Sequence, residues 1–353
     1  IIPDNIVARN GDTLKDDWPY FDENDKENTY HPLYVDAVVS NPPYSQSWTP
    51  PRKAKNGDMG EVDPRFDDYG IAPKGKADYA FLLHDLYHLK QDGIMAIVLP
   101  HGVLFRGDAG DGTEENKGDG SEGSIRRMLI ENDNIEAIIG LPADIFFGTG
   151  IPTIIMVLRK SRPSSDVLII DASKGYKKEG KKNKLQASDI KRIVDTYIGR
   201  EDVPKYARLV SKDEIRANGY NLNIPRYVNS SDDVETWDLY STMFGGVPKA
   251  ELSAMDCYWK AFVGLKEALF KSTDTPQTEF CVDDIRESVE SHPSVIAFKN
   301  LYADKFGGFG SMLHEHLLEN MMSLNIATEE DSITSYIFQQ LELMPLVDRF
   351  AAY

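Results

Sequence analysis

Five short apolar runs govern what this 353-residue chain can fold into: 35–39 (VDAVV), 94–99 (IMAIVL), 135–141 (IEAIIGL), 153–158 (TIIMVL) and 167–171 (VLIID). Each is near-continuous in apolar residues rather than alternating, the pattern of strands covered on both faces. Residues 5–9 (NIVAR) give a candidate sixth. Helical patterns separate several of the runs. In 77–90, Tyr79, Leu82, Leu83, Leu86 and Leu89 recur at helical spacing, and Gly93 follows the end. In 124–132, Ser124 stands as an N-cap, and Ile125, Met128 and Leu129 share a face. Strand, helix, strand in succession predicts an α/β sheet with parallel connections. The link 159–166 is too short for a helical crossover, so the last two strands are expected to pair antiparallel.

The texture changes near residue 230. Ser230-Ser231-Asp232-Asp233 reads as a linker, and 250–270, 283–305, 311–325 and 333–350 read as amphipathic helices. We therefore expect two domains, 1–231 and 232–353, the second mainly helical. The charge divides with them. The chain carries 39 basic and 57 acidic residues, a net of −18; residues 232–353 hold 8 against 21 and residues 1–231 hold 31 against 36. An acidic chain is a poor unaided binder of polyanions, so any nucleic-acid reading must explain that balance. No apolar run approaches the ~20 residues of a membrane span. Cys257 and Cys281 lack metal-type spacing and read as reduced thiols of a cytoplasmic protein.

At the end of the first apolar run stands Ser40-Asn41-Pro42-Pro43-Tyr44. Proline fixes φ and lacks an N–H, and it pushes the preceding residue into an extended conformation. Asn41 and Pro42 should thus form a stiff turn that aims two acceptors, the Asn41 side-chain oxygen and the Pro42 carbonyl, at one spot. Two converging acceptors suit a planar NH2 group, and Tyr44 adds a π-face beyond them. Adenine fits that description. Bonding both amine hydrogens favours a more pyramidal, more nucleophilic nitrogen, which can attack an activated methyl group by positioning and aimed dipoles, without a metal. Inside duplex DNA the amine is paired, so the base must be flipped out. The turn's position at a strand end strengthens the reading, because open α/β sheets bind ligands at the carboxyl ends of their strands.

Other features weigh less. Residues 107–123 hold six acids and one Lys, which repels phosphate, and their spacing misses a calcium loop; a flexible solvated insertion is expected. Residues 174–184 (KGYKKEGKKNK) hold six lysines and one Glu, which suits either a solvated loop or a DNA backbone track with Tyr176 stacking. Arg52, Lys53 and Lys55 are better placed for phosphates near the target base. His84 and His88, and His314 and His316 around Glu315, make no zinc-protease motif, and no metal site is expected. His101, at a strand end, reads as a turn-stabilising residue or a proton carrier.

A set of stretches goes further. The Asn-Pro-Pro-Tyr turn resembles the signature of amino-group methyltransferases that use S-adenosylmethionine. Asn10-Gly11-Asp12-Thr13-Leu14, Ala77-Asp78-Tyr79-Ala80-Phe81, residues 97–106 (IVLPHGVLFR), Ile139-Gly140-Leu141-Pro142, residues 146–152 (FFGTGIP) and residues 221–227 (NLNIPRY) resemble the methylation subunit of type I restriction-modification systems, in that family's order. The resemblance covers about residues 5–228, and 236–270 resemble a helical extension of some members. It implies a Rossmann-like S-adenosylmethionine-dependent sheet, incomplete at its N-terminal edge, followed by a mainly helical region. It implies transfer of a methyl group to adenine N6 in DNA, with a specificity subunit and a restriction subunit as partners. Asn41, Pro42, Pro43 and Tyr44 would form the catalytic turn; Asp12, Asn41 and Phe81 would contact the cofactor. Tyr44, with Phe146 or Phe147, would stack on the flipped base, and Arg52 and Lys53 would meet the DNA.

The family's glycine-rich cofactor loop is absent from the sequence and is expected upstream of Ile1. The chain therefore reads as a fragment, inactive alone, with a second cut near Pro345–Arg349. Two other functions stay open: methylation of a glutamine amide in a protein, and a non-catalytic assembly module.

Overall fold

A computed structural model describes residues 11–16, 33–50, 63–109, 122–230, 238–342 and 344–352. The candidate strand at 5–9, Arg52, Lys53, Lys55, most of the acidic insertion and the linker beyond Ser230 lie outside the described residues. The chain divides into two compact units, Ile1–Ser231 and Asp232–Tyr353.

Among the described residues the first unit has a short helix, α1 (Thr13–Asp16), and centres on a sheet. Its strands are β1 (Val35–Ser40), β2 (Leu89–Pro100), β3 (Ile135–Gly140), β4 (Thr153–Leu158), β5 (Val167–Asp171) and, beyond a two-stranded hairpin, β8 (Ala207–Val210). The order is β1-β2-β4-β3-β5-β8. β1 runs parallel to β2 and β3 parallel to β5, while β4 lies antiparallel between β2 and β3 and β8 antiparallel beside β5. This is a mixed, Rossmann-like open sheet. Helices α2 (Asp78–Tyr87) and α3 (Glu122–Glu131) supply the links from β1 to β2 and from β2 to β3.

Three expectations need correction. First, β4 and β5 run in opposite directions but do not pair, because β3 lies between them. The short link between them crosses the start of β3: Arg159 N–H donates to Asn134 O at 2.9 Å and the Arg162 guanidinium donates to Ile135 O. Second, the helical pattern over 77–90 overshoots. Leu89 already belongs to β2, paired with Val35, and the next registered pair is Ala37 with Ile94. Residues 90–93 bulge opposite Asp36, and a Cβ on Gly93 would lie 2.8 Å from Asp36 O, so glycine is needed there. Third, Ser124 lies inside α3, which starts at Glu122.

Burial follows the apolar runs except at one end. Ile97, Leu99, Ile138, Ile154, Met156 and Ile169 are fully buried, and Leu82, Leu83, Leu86, Ile125 and Leu129 cover them from α2 and α3. β1 was expected to be covered on both faces, yet Val39 is 90% exposed. Among the described residues β1 has a neighbour on one side only.

The second unit is mainly helical. The long helices expected there are broken where local chemistry breaks them. Residues 250–270 form Lys249–Ala254, Asp256–Ala261 and Leu265–Leu269, the last preceded by Gly264 at φ 84°. A helix ends before His292, and Pro293 opens the next, Pro293–Phe306. The stretch 311–325 breaks into Phe309–His314, a π-turn over Glu315–Glu319 and a 3-10 turn over Met321–Ser323, and the final long helix is Ile326–Leu341. Leu265, Leu269 and Val295 form its small core against Trp259, Phe262 and Phe270. Cys257 and Cys281 are free and exposed. No helix among the described residues is long and apolar enough to cross a membrane.

Candidate functional site

The parallel strands β1, β2, β3 and β5 all end on the same side of the sheet, at Ser40, Pro100, Gly140 and Asp171, and antiparallel β4 begins there. Ligands of open α/β sheets bind at this edge. The Asn-Pro-Pro-Tyr turn leaves it directly from β1. Pro42 is buried, Tyr44 half-buried, and Asn41 and Pro43 are exposed. The Tyr44 hydroxyl donates to Asn41 Oδ1 at 2.9 Å. An amide oxygen has two lone pairs, so this bond orients the Asn41 amide and leaves one acceptor site for a ligand N–H.

The turn is held from behind. Ser45, next in the chain, sits at φ 50°, a left-handed conformation that costs a non-glycine residue roughly 1–2 kcal/mol. The Asp78 carboxylate secures it, accepting from Ser45 N–H at 2.6 Å and from the Ser45 hydroxyl at 3.3 Å. Asp78 is 1% exposed at the start of α2 and also accepts from Arg106 Nη2 at 2.6 Å. Arg106 in turn donates twice to Glu122, at 2.7 Å each. One guanidinium thus joins two buried carboxylates, ties the two ends of the acidic insertion together and braces the turn. Backbone bonds from Ala77 to Gln46 O and from Trp48 to Lys74 O hold the same two segments side by side.

A second segment arrives from 100 residues away. Between β3 and β4, Phe146, Phe147, Gly148, Thr149 and Ile151 meet Asn41, Pro42, Pro43, Tyr44 and Ser45 around an open cleft of about 830 Å³. The Phe146 ring approaches Tyr44 edge-on, with centroids 6.5 Å apart. Phe146 packs against the inner cluster of Ile139, Leu141 and Val157, whereas Phe147 is 94% exposed. Gly148, at φ 81°, makes the turn that separates them from Thr149.

The structure thus brings together Asn41, Pro42, Pro43, Tyr44, Phe146 and Phe147. It does not bring Asp12 or Phe81 into that cleft. Asp12 Oδ1 accepts from Leu14 and Lys15 N–H and caps α1, its other oxygen taking no part in the cap. Phe81 is half-buried against the main core. His84 and His88 are core residues, with Nδ1 on Arg65 Nη1 at 3.0 Å and Leu33 O at 2.9 Å respectively. His101 is half-buried, and loss of solvent pulls its pKa down against the Asp171 charge. Among the described residues there is no metal-ligating cluster.

The supporting roles of two residues escape the sequence reading, which has the Asp78–Phe81 stretch lining the cofactor cleft and Lys182 as one lysine of a run. Asp78 offered one signal, an acid directly before an apolar run. Lys182 offered none: its ammonium donates to Phe146 O at 2.6 Å and Thr149 O at 3.1 Å, fixing the cleft wall from a segment expected to be a solvated loop or a backbone track.

Behind the turn, α2 carries one strained carboxyl. Burial raises the Asp85 pKa to about 6, the Ser40 hydroxyl and His88 opposing it, and Asp85 Oδ2 has no hydrogen-bond partner among the described residues. A folded-state pKa above the free value of 3.8 means that the ionised form costs stability. The cost is absent below about pH 4, grows through about pH 6 and is complete above it. Asp85→Asn is therefore expected to match wild type at pH 4 and to exceed it by about 1–3 kcal/mol at pH 8, as read by urea unfolding at both pH values. Equal stability of the two proteins at pH 8 would show that the carboxylate is not strained.

Comparison with known proteins gives the family. The model of the family described as N-6 DNA Methylase matches residues 1–236. The type I restriction enzyme MpnII methylase subunit of Mycoplasma pneumoniae is 38% identical over 206 residues, 58% of this chain and 35% of that protein. The MjaVII methylase subunit of Methanocaldococcus jannaschii is 33% identical over 231 residues, 63% and 38% of the two chains. Among solved structures, a type I restriction-modification system methyltransferase subunit from Streptococcus thermophilus superposes with a TM-score of 0.52 at 49% identity, covering 62% of this chain and 42% of that one. The chain spans well under half the length of each of these relatives. With the matched region extending from residue 1 through the whole sheet and both walls of the cleft, the chain belongs to the N-6 DNA methylase family.

Proposed function

We propose that this chain is part of the modification subunit of a type I restriction-modification complex in the cytoplasm, which methylates adenine N6 in DNA. The observation that carries the reading is the cleft in which Asn41–Tyr44 and Phe146–Phe147 meet at the sheet's ligand-binding edge. On this reading Asn41 Oδ1 and the Pro42 carbonyl accept the two hydrogens of a flipped adenine's amine, drawing it toward a nucleophilic geometry. Tyr44 and Phe147 hold the ring by its faces, and Phe146 is the packed wall behind them.

S-adenosylmethionine, when bound, supplies an electrophilic methyl group. Of the residues expected to hold such a cofactor, the exposed Asn41 amide at the strand end would face it in the cleft, and Asp12, outside that cleft, would offer the carboxylate oxygen that its helix cap leaves unused. The specificity and restriction subunits are the expected partners. A separate sequence reader also accounts for the net charge of −18, since most DNA affinity would then come from the partner.

The test is transfer of labelled methyl from S-adenosylmethionine to unmethylated DNA by the full-length subunit with its specificity partner. Label on adenine N6 supports the reading, and no label from a well-assembled complex sinks it. Two further measurements separate the phenylalanines. Phe147→Ala is expected to weaken capture of the flipped base by about 1–3 kcal/mol at unchanged thermal stability. Phe146→Ala is expected to lower stability, by less than the ~3–5 kcal/mol of a fully buried ring because this one is only half-buried. Fluorescence of 2-aminopurine at the target position reads the first effect and a melting curve the second; the reverse pattern would exchange the two roles.

A further inference from the structure

The geometry points to a phosphate-binding site on the lysine hairpin formed by β6 (Lys177–Glu179) and β7 (Lys182–Lys184), one that takes the backbone of the DNA strand carrying the target base. It rests on the DNA reading above and adds a contact site to it.

On a chain of net charge −18, polyanion affinity has to come from places where cations gather. Residues 174–184 are the densest such place, with six lysines in eleven positions. As sequence, a run of this kind suits a solvated loop at least as well as a backbone track. As structure it is a registered antiparallel ribbon, with Lys177 opposite Lys184, Lys178 opposite Asn183 and Glu179 opposite Lys182. Gly180, at φ 64°, makes its turn. Lys177, Lys178, Lys181 and Lys184 are exposed. The ribbon's one acid, Glu179, reaches Lys184 at 3.4 Å, and Lys177, Lys178 and Lys181 have no ion pair among the described residues. Like charges directly opposite across an antiparallel pair destabilise it. Glu179 offsets only one charge of the Lys177–Lys184 pair, and a phosphate lying across the ribbon would offset the other.

The second observation is where the ribbon is fastened. Lys182 points its ammonium at Phe146 O and Thr149 O, Asn183 N–H donates to Asp144 O at 3.1 Å, and the Asn183 side chain donates to Ala143 O at 2.8 Å. A solvated turn needs no such anchorage. These four bonds attach a cationic ribbon to the segment that walls the base cleft. Backbone contacts there would position a strand without reading its sequence, which suits an enzyme whose sequence reading lies in another subunit.

The experiment compares the full-length subunit, assembled with its specificity partner, as wild type and as the quadruple variant Lys177→Gln, Lys178→Gln, Lys181→Gln, Lys184→Gln. Lys182 and Asn183 are left in place, so the anchorage survives. Affinity for an unmethylated cognate duplex is measured across a salt series. Each neutralised phosphate contributes about 0.9 to the slope of log affinity against log salt, so the slope is expected to fall by about 2–4 and affinity at 0.15 M salt by about tenfold or more. The matching quadruple Arg variant keeps the charge and is expected to keep the slope. A Gln variant with the wild-type slope and affinity, in a complex that binds duplex normally, would overturn the hairpin site alone. A wild-type complex that binds no duplex at all would overturn the DNA reading and this inference with it.

Discussion

Asn41→Ala, in the full-length subunit assembled with its specificity partner, is expected on the proposed function to lower methyl transfer to adenine by about 10²- to 10³-fold, the range found when one aimed polar group is removed from a transition state. The loss should fall on kcat. Asn41 is exposed and supports no core contact, so folding should be unchanged. Tyr44 would lose its hydroxyl partner but keep its edge contact with Phe146, so base stacking should survive. Asn41→Asp still presents an acceptor and is expected to retain more activity than the alanine variant. Single-turnover transfer with labelled S-adenosylmethionine, run beside DNA-binding and cofactor-binding measurements, separates these effects. An alanine variant that transfers methyl at the wild-type rate would remove Asn41 from the chemistry.

The second large effect is expected at a residue that does not line the cleft but holds one that does. Asp78→Ala removes both bonds to Ser45 and one of the three that fix Arg106. Without that carboxylate no other hydrogen bond among the described residues holds Ser45 in its left-handed conformation, and the turn is free to relax toward ordinary φ values. A displacement of about 1 Å at a catalytic group can cost about 10²-fold in rate, and that is the expected loss. Because Glu122 still holds Arg106, the stability loss should stay below the ~3–5 kcal/mol of an orphaned buried charge, at about 1–3 kcal/mol. Asp78→Asn keeps an acceptor for Ser45 N–H and is expected to recover part of the rate. Transfer rates measured at a temperature where denaturant curves show each variant fully folded distinguish positioning from unfolding. A folded Asp78→Ala protein with full kcat would make the network purely structural.

What could be read along the chain was whatever is written within a few residues. A strand buried on both faces must be apolar at nearly every position, so β2, β3, β4 and β5 were legible as runs. Two adjacent prolines restrict the backbone covalently, so the stiff turn at Asn41 was legible too, as was its place at a strand end. The phenylalanines at 146 and 147 were legible as a pair but not as individuals, because which ring packs inward depends on β3 and β4 having paired.

The tertiary structure alone decided the rest, because it turns on contacts whose partners lie far apart in sequence. Pairing energy does not record strand order locally, so the insertion of β4 between β2 and β3 was invisible in a short link that looked like a hairpin. Leu89 continued a helical period and yet entered a strand, since ladder bonds to Val35 outweigh a weak local preference. Asp78 lies 33 residues from Ser45, and Lys182 lies 36 from Phe146. The sequence by itself determined which groups do the chemistry proposed here. Only the folded sheet, by bringing distant segments to one edge, decided which other groups hold them still.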